Sequence, residues 1–377
     1  MTSRPKHILI VTHYFPPHIG GIETVAYNQA KRLVALGNTV TVVTSRIGSK
    51  ESRSTIDGIQ VIRVGAWNIF ERWGVPFPLF SPLLGFAMTK AVREADIVHV
   101  HDAFYMSSFI AALCARACGK PIVLTQHVGF ISHPSPFVVL VQKAVYGTTG
   151  GIIFKLSDLI FTYNDRVKNF LKDRGVDGSK LAVMPNGVDR DLFKPASPEV
   201  RRTIKQKFGL SPSKKVFLFV GRFVPKKGFD ALFASRCERY QLAFAGGEHL
   251  SRVNDEAVFL GKLSPETLSQ AYQAADAFIL PSRDEGFPLS IQEAMASGLP
   301  IITAKDPGYA LYDFDEKRMV FIDTVDETSI RSAIDTLCQS DDMLRDMGAY
   351  SEQYARANFS WPHIVANIDR AYNVLLQ

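Results

Sequence analysis

The chain has 377 residues, of which 46% are hydrophobic and 21% charged, with a formal net charge of +6. That length and apolar content give a globular protein of two ordinary domains, and exclude a disordered or collagen-like chain. The charge is modest and dispersed and no reader motif accompanies it, so nucleic acid is not an expected partner; anionic substrates and anionic lipid surfaces are compatible with it. The run Ile8–Val11 is too short for a signal peptide, and no run of 18 apolar residues free of charge predicts a membrane span. The four cysteines, Cys114, Cys118, Cys237 and Cys338, have neither disulfide-framework nor zinc spacing and read as free thiols.

In chain order, His7–Thr12 reads as a buried strand and Ile22–Leu36 as a helix stopped by Gly37. Thr39–Thr44, Ile59–Val64 and Ile97–His101 read as strands. A helix is expected around Ser107–Ala117, then strands at Pro121–Thr125, Leu159–Tyr163 and Leu181–Met184. Pro195–Pro212, with three prolines and several charges, looks like a boundary. The pattern then restarts with strands at Val216–Val220, Leu242–Ala245, Ala257–Leu260, Ala277–Leu280, Pro300–Thr303 and Met319–Ile322. The tail from Met343 is helical, interrupted at Phe359–Pro362, where Pro362 starts a new helix. Apolar strands alternating with helices imply parallel sheets covered on both faces, hence two Rossmann-like domains facing across a cleft.

Five segments carry groups suited to a phosphorylated sugar ligand. Pro281–Ala296 (PSRDEGFPLSIQEAMA) places Glu285 and Glu293 eight positions apart, the first in a loop and the second in the helix that follows. Backbone N–H groups around Gly286, Phe287, Pro288 and Leu289 would face phosphate at that helix N-terminus. Each carboxylate could accept from sugar hydroxyls. Gly221–Gly228 (GRFVPKKG) follows a strand directly. Arg222 offers a planar fork for phosphate oxygens and Lys227 a point charge. The same pattern occurs in a solvated basic turn. Gly20 and Gly21 open the first helix without forming G-x-G-x-x-G, and also suit an ordinary strand-to-helix turn. His127 lies at the end of a strand, where it would bond a sugar hydroxyl or serve as a structural histidine. His99 and His101 alternate on one strand and read as structural; no third ligand makes a metal site of them. Pro185–Asp189 (PNGVD) reads as a turn near the domain boundary.

Taken together, GR-x4-KG, AADAFILPSRDEGFP and EAMASGLPII, in that order, resemble the retaining glycosyltransferases with the GT-B fold called family 4, across nearly the whole chain. The resemblance implies an α/β fold of two Rossmann-like domains: residues 1–196 binding acceptor, residues 197–360 binding nucleotide sugar, and a last helix, about 361–377, crossing back to the first. It implies that Arg222 and Lys227 hold the donor diphosphate, Glu285 the transferred sugar and Glu293 the ribose. The amides of Phe287–Leu289 would touch phosphate or sugar, Gly20 and Gly21 would lie by the donor phosphates and acceptor, and His127 near the transferred sugar. The partners implied are a UDP- or GDP-linked hexose donor and a glycan or lipid-linked acceptor. Neither cofactor nor metal is expected, and D-x-D is absent. A cytoplasmic enzyme is expected, peripheral on the cytoplasmic membrane face, because Trp67–Met88 and Gly129–Phe154 are aromatic and apolar yet too short or polar to span a bilayer. The same segments would also serve as buried helix surface. Rival readings are a nucleotide-sugar-binding protein without transfer activity, a sugar-nucleotide epimerase, and a phosphorylase, whose chains are far longer. The chain departs from the family pattern in two places: the short link between Gly247 and Phe259, and Ala304–Tyr309 in place of a Gly-Gly-x-x-Glu segment.

Overall fold

In the computed structural model, residues 4–18, 20–69, 77–130, 135–247, 256–283 and 287–377 are described. The chain divides into two compact units: residues 1–186 with 361–377, and residues 187–360.

The first unit contains β1 (His7–Val11), α1 (Gly21–Ala35), β2 (Thr39–Ser45), β3 (Arg53–Ile56), β4 (Ile59–Val64), β5 (Ala66–Trp67) and β6 (Leu79–Phe80). It continues with α2 (Leu83–Glu94), β7 (Ile97–His101), α3 (Met106–Ala117), β8 (Ile122–Gln126), α4 (Pro136–Gly147), α5 (Thr149–Leu156), β9 (Leu159–Thr162), α6 (Asp165–Lys172) and β10 (Leu181–Val183). Among the described residues its main sheet runs β10-β9-β8-β7-β1-β2-β4-β3, parallel except for the β3–β4 hairpin. The central strands β1, β7 and β8 are buried along almost their whole length, as strands of a covered parallel sheet are. β1 has β2 on one side and β7 on the other, so the strand order reverses there.

The second unit contains α7 (Pro198–Lys207), β11 (Lys215–Val220), α8 (Phe229–Ala234), β12 (Tyr240–Ala245), β13 (Ala257–Gly261) and α9 (Pro265–Ala274). β14 (Ala277–Leu280), α10 (Leu289–Ala296), β15 (Ile301–Ala304), β16 (Val320–Ile322), α11 (Glu327–Cys338) and α12 (Asp341–Asn358) follow. Its parallel sheet runs β13-β12-β11-β14-β15-β16, and the order reverses between β11 and β14. The helix α13 (Trp361–Leu375) then belongs to the first unit. There Asp369 pairs with Lys6 at 2.9 Å, and the Tyr372 hydroxyl meets His99 Nδ1 at 2.5 Å.

One expectation needs correction, and two other segments gain detail. The segment read as a boundary holds α7, because Ser197 caps it and Pro198 sits in its first turn, where the missing N–H costs nothing. The run 136–156 is, by length and composition, long and apolar enough to cross a membrane, contrary to the expectation for Gly129–Phe154. It has a mean hydropathy of 1.4, although Gln142, Lys143, Thr148 and Thr149 lie within it. It is 28% buried, and it breaks at Thr148 into α4 and α5. Trp67–Met88 includes the start of α2, whose buried Leu84, Met88, Ala91 and Val92 follow helical spacing while Leu83 and Phe86 face outward.

Candidate functional site

Ligands of open parallel sheets bind beyond the carboxyl ends of the strands where the order reverses. In the second unit those ends belong to β11 and β14. The segment after β11 is Gly221–Gly228, and the segment after β14 begins at Pro281. The backbone joins them: the Arg283 N–H donates to the Lys226 carbonyl at 3.1 Å. Gly228 has φ +69°, and a Cβ on it would lie 2.4 Å from the Pro281 carbonyl oxygen, so only glycine lets the two loops touch. Arg222 is exposed and Lys227 half-buried, its stem passing over Gly221. Below them Phe223 stacks on Phe229 at 4.5 Å, which anchors the loop to the core.

Glu293 sits in α10, half-buried, and its Oε2 accepts from the Tyr272 hydroxyl at 2.9 Å. Burial pushes its carboxyl up to about 7, although the Tyr272 hydrogen bond favours the charged form. Phe287 differs from a surface ligand-contact residue: it is buried and stacks on Tyr312 at 4.1 Å. Only its backbone could meet a ligand. Pro288 precedes α10 as its N-cap and has no N–H to offer, so of the expected amides only those of Phe287 and Leu289 remain there. No side chain caps α10. The divergent segment after Thr303 forms a short 3-10 turn, Pro307–Tyr312, capped by Asp306. Its Tyr309 and Tyr312 enclose Phe287. Glu285 and Gly286 lie outside the described residues, as do 248–255, on which the expected short link falls.

In the first unit the order reverses between β1 and β7. Beyond β1 come Thr12–Gly20, leading to Gly21 at the start of α1. The Glu23 side chain folds back over this loop: its Oε2 would lie 2.3 Å from a Cβ on Gly20. Oε1 approaches His18 Nδ1 at 3.1 Å and His13 Nε2 at 3.8 Å. Burial alone would raise the Glu23 pKa; the His18 hydrogen bond and the nearby His13 more than offset it, and it ends below its ordinary value. The neighbouring His13 is buried, stacked on Tyr105 at 3.5 Å, and desolvation lowers it to about 4.

His127 follows β8 and is buried, with Nε2 3.0 Å from His101 Nδ1. Desolvation, with smaller effects from His13 and His99, lowers its pKa to about 3, so the ring is neutral at physiological pH. His99 and His101 do share a side of β7, their rings 4.8 Å apart. His99 is spent on structure, bonding Tyr372 and Thr125. His101 Nε2 is buried with no hydrogen-bond partner among the described residues. Beside it Asp102 has φ +65° and a carboxyl that burial raises to about 6, despite hydrogen bonds from Phe104 N–H and Gln126. Its Oδ2 also lacks a partner among the described residues. Buried polar atoms are normally paired. Two left open at one sheet end mark a place built to receive polar groups. Sequence reading singled out His127 and the glycines but passed over His13, Glu23 and Asp102. For His13 and Asp102 the signal available was their position just beyond the ends of two adjacent strands. Among the described residues no three His, Cys, Asp or Glu side chains are grouped to hold a metal ion.

Comparison with known proteins bears on the family and the fold. The profile described as Glycosyltransferase Family 4 matches residues 19–192, and that described as Glycosyl transferases group 1 matches residues 200–354. The D-inositol 3-phosphate glycosyltransferase 2 of Catenulispora acidiphila is 25% identical, over 99% of this chain and 96% of its own. Among solved structures, HepE from Anabaena in complex with UDP-glucose aligns with a TM-score of 0.79 at 16% identity, covering 98% of this chain and 100% of its own. WaaG, a glycosyltransferase involved in lipopolysaccharide biosynthesis, aligns with a TM-score of 0.73 at 17% identity, covering 98% and 99%. The two profiles between them account for most of both units, the structural neighbours share the pair of Rossmann-like folds, and the chain belongs to the GT-B glycosyltransferases of the family 4 type, enzymes of the hexosyltransferase class.

Proposed function

We propose that the enzyme transfers a hexosyl unit, with retention, from a UDP- or GDP-linked sugar to a hydroxyl of a glycan or lipid-linked acceptor, in cell-envelope polysaccharide or glycolipid synthesis. The observation that carries this reading is the union of Gly221–Gly228 with the β14 loop at the strand-order reversal, next to Glu293 on α10. The second unit, taken as residues 197–360, binds the donor. Arg222 and Lys227 hold the diphosphate, the amides of Phe287 and Leu289 approach phosphate or sugar, Glu285 orients the sugar and Glu293 accepts from the ribose hydroxyls. The first unit, taken as residues 1–196 with the last helix, binds the acceptor. Gly20 and Gly21 let it approach closely, and neutral His127 lies by the transferred sugar.

The bond from the anomeric carbon to the diphosphate oxygen breaks, and the acceptor oxygen bonds that carbon on the same face. The acceptor proton passes to the departing diphosphate. Arg222 and Lys227 stabilise the charge that develops on the leaving group, a role a divalent cation fills elsewhere, so no metal is invoked.

The enzyme works on the cytoplasmic face of an anionic membrane. Leu83 and Phe86 on α2 and Phe137 and Leu140 on α4 are large apolar side chains exposed on the first unit. They support peripheral contact and a lipid-linked acceptor.

The test is a thermal-shift screen with UDP-, GDP- and ADP-sugars, followed by transfer assays on pooled acceptors that include a phosphorylated cyclitol. A donor-dependent shift with transfer supports the reading. Binding without transfer to any acceptor favours a nucleotide-sugar-binding protein. Lys227→Ala is expected to lower turnover about 10²–10³-fold, the usual loss when one charge-stabilising donor is removed. Full turnover in that variant with donor bound would remove Lys227 from the leaving-group role.

A further inference from the structure

The first unit has a cavity of about 510 Å³ away from the strand-order reversal, between the ends of β2 and β4, the β5–β6 ribbon and the start of α2. Its lining includes three arginines, Arg46, Arg53 and Arg63. It also includes Trp67, Leu83 and Phe86, which are 59%, 69% and 77% exposed.

The three arginines are held differently. Arg63 is buried; its Nη1 donates to Ser54 Oγ at 2.6 Å and its Nη2 to the Pro16 carbonyl at 2.8 Å. Burial lowers its pKa from the ordinary value, and the nearby Glu51 carboxylate acts in the opposite direction. Arg46 and Arg53 are exposed and enter no ion pair among the described residues. Ser81 also lines the cavity, and its Oγ is buried without a hydrogen-bond partner among the described residues. A Cβ on Gly65 would lie 3.7 Å from that oxygen and 3.9 Å from an Arg46 Nη2, so the hydroxyl and the guanidinium share one corner.

Three arginines lining one cavity beside an unpartnered hydroxyl favour an anion there, and the Glu51 carboxylate near Arg63 offsets part of that charge. Guanidinium forks match the paired oxygens of a phosphate. The exposed apolar side chains in the same lining are unsuited to a free phosphate, because they gain nothing from water. Headgroup phosphate joined to acyl chains satisfies both kinds of lining residue at once.

We propose that this cavity is the seat of an anionic phospholipid headgroup: Arg46, Arg53 and Arg63 hold the phosphate, and Trp67, Leu83 and Phe86 enter the acyl region of the bilayer. This goes beyond the membrane contact proposed above and rests on it. The contact becomes specific for phosphate exposed on an anionic lipid, and it is placed on the sheet edge that Arg63 ties to Pro16, in the loop leading to Gly20.

The test is co-sedimentation of the full chain with phosphatidylcholine vesicles, with and without phosphatidate. Wild type is expected to bind only the phosphatidate vesicles; no binding to either overturns both the membrane contact and the site. Arg46→Ala with Arg53→Ala is expected to weaken binding about five-fold for each arginine, the usual worth of one basic group at an anionic surface. Arg202→Ala with Lys317→Ala removes the same charge from the second unit and is expected to bind like wild type. Equal losses in the two pairs, with wild type binding, overturn the site and leave only a charge effect. Phe86→Ser is expected to lose binding as well. If it binds as wild type does, or if glycerol phosphate displaces the protein at concentrations matching the lipid, the ligand is a soluble phosphate and the proposal fails. All four arginine and lysine positions other than Arg63 are exposed, so folding is not at stake.

Discussion

Glu293 is a carboxyl held in a poor environment for its charge. Its pKa of about 7 lies above the unfolded value, so the native protein binds the extra proton between about pH 4.5 and 7. Stability attached to this group is therefore fully present below about pH 4.5, falls as pH rises, and levels off above 7. Glu293→Gln removes the charge that causes the fall. The variant is expected to be more stable than wild type by roughly 1–3 kcal/mol at pH 8 and equal to it at pH 4, read from denaturant melts at the two pH values. The same variant is expected to bind nucleotide sugar about ten-fold or more weakly, since a charged acceptor of hydroxyl hydrogen bonds is gone. A variant that binds donor as tightly as wild type would remove Glu293 from the ribose role.

At the scale of elements, the donor site depends on how closely two loops approach. Gly228 ends the turn after β11 and starts α8, and its positive φ and contact with Pro281 leave no room for a methyl group. Gly228→Ala is expected to cost about 2 kcal/mol or more, from left-handed strain and the displaced loop. Donor binding should fall further than the lost stability explains, which calorimetric titration on the folded fraction would read. These loops were legible in sequence because their chemistry is local: glycines, prolines and charges directly after apolar strands. The strands were legible for the same reason, since β1, β7 and β8 are each rich in Val, Ile or Leu. Less legible were α2, α4 and α5, where apolar residues lie on the exposed side as well as on the core side. Nor could spacing show that Phe287 turns into an aromatic cluster, because Tyr312 and Phe359 reach it from distant parts of the chain. Glu23 escaped notice because its role depends on folding back over Gly20, a fact of backbone direction rather than of residue type.

For the whole molecule, the buried histidines make the first unit sensitive to acid. His13 at about 4 and His99 and His127 at about 3 all lie below the ordinary 6.5, with desolvation the largest cause, and His101 is lowered in the same way. An unfolded chain takes up protons on these rings between pH 6.5 and 4 while the native one does not, so stability falls as pH falls through that window. Denaturant melts at pH 7.5 and 5 are expected to differ by on the order of 1–2 kcal/mol for each such histidine. Equal stability at the two pH values would show that the rings are not buried neutral.

The placement of α13 also bears on how the protein is made. The chain leaves the first unit after Asn186 and rejoins it at Trp361, and the ends of the second unit lie side by side, with the Val188 N–H donating to the Phe359 carbonyl at 2.9 Å. The second unit is thus complete once Ser360 has been synthesised. The first still lacks the helix that supplies Tyr372 to His99 and Asp369 to Lys6. Domains usually fold in the order in which they leave the ribosome. Here the domain begun first is finished last, after the one inserted into it. Ribosome-bound chains stalled at Ser360, with a linker to clear the tunnel, are expected to resist protease over residues 187–360 and to be cut within residues 1–186; equal protection of both would refute that order.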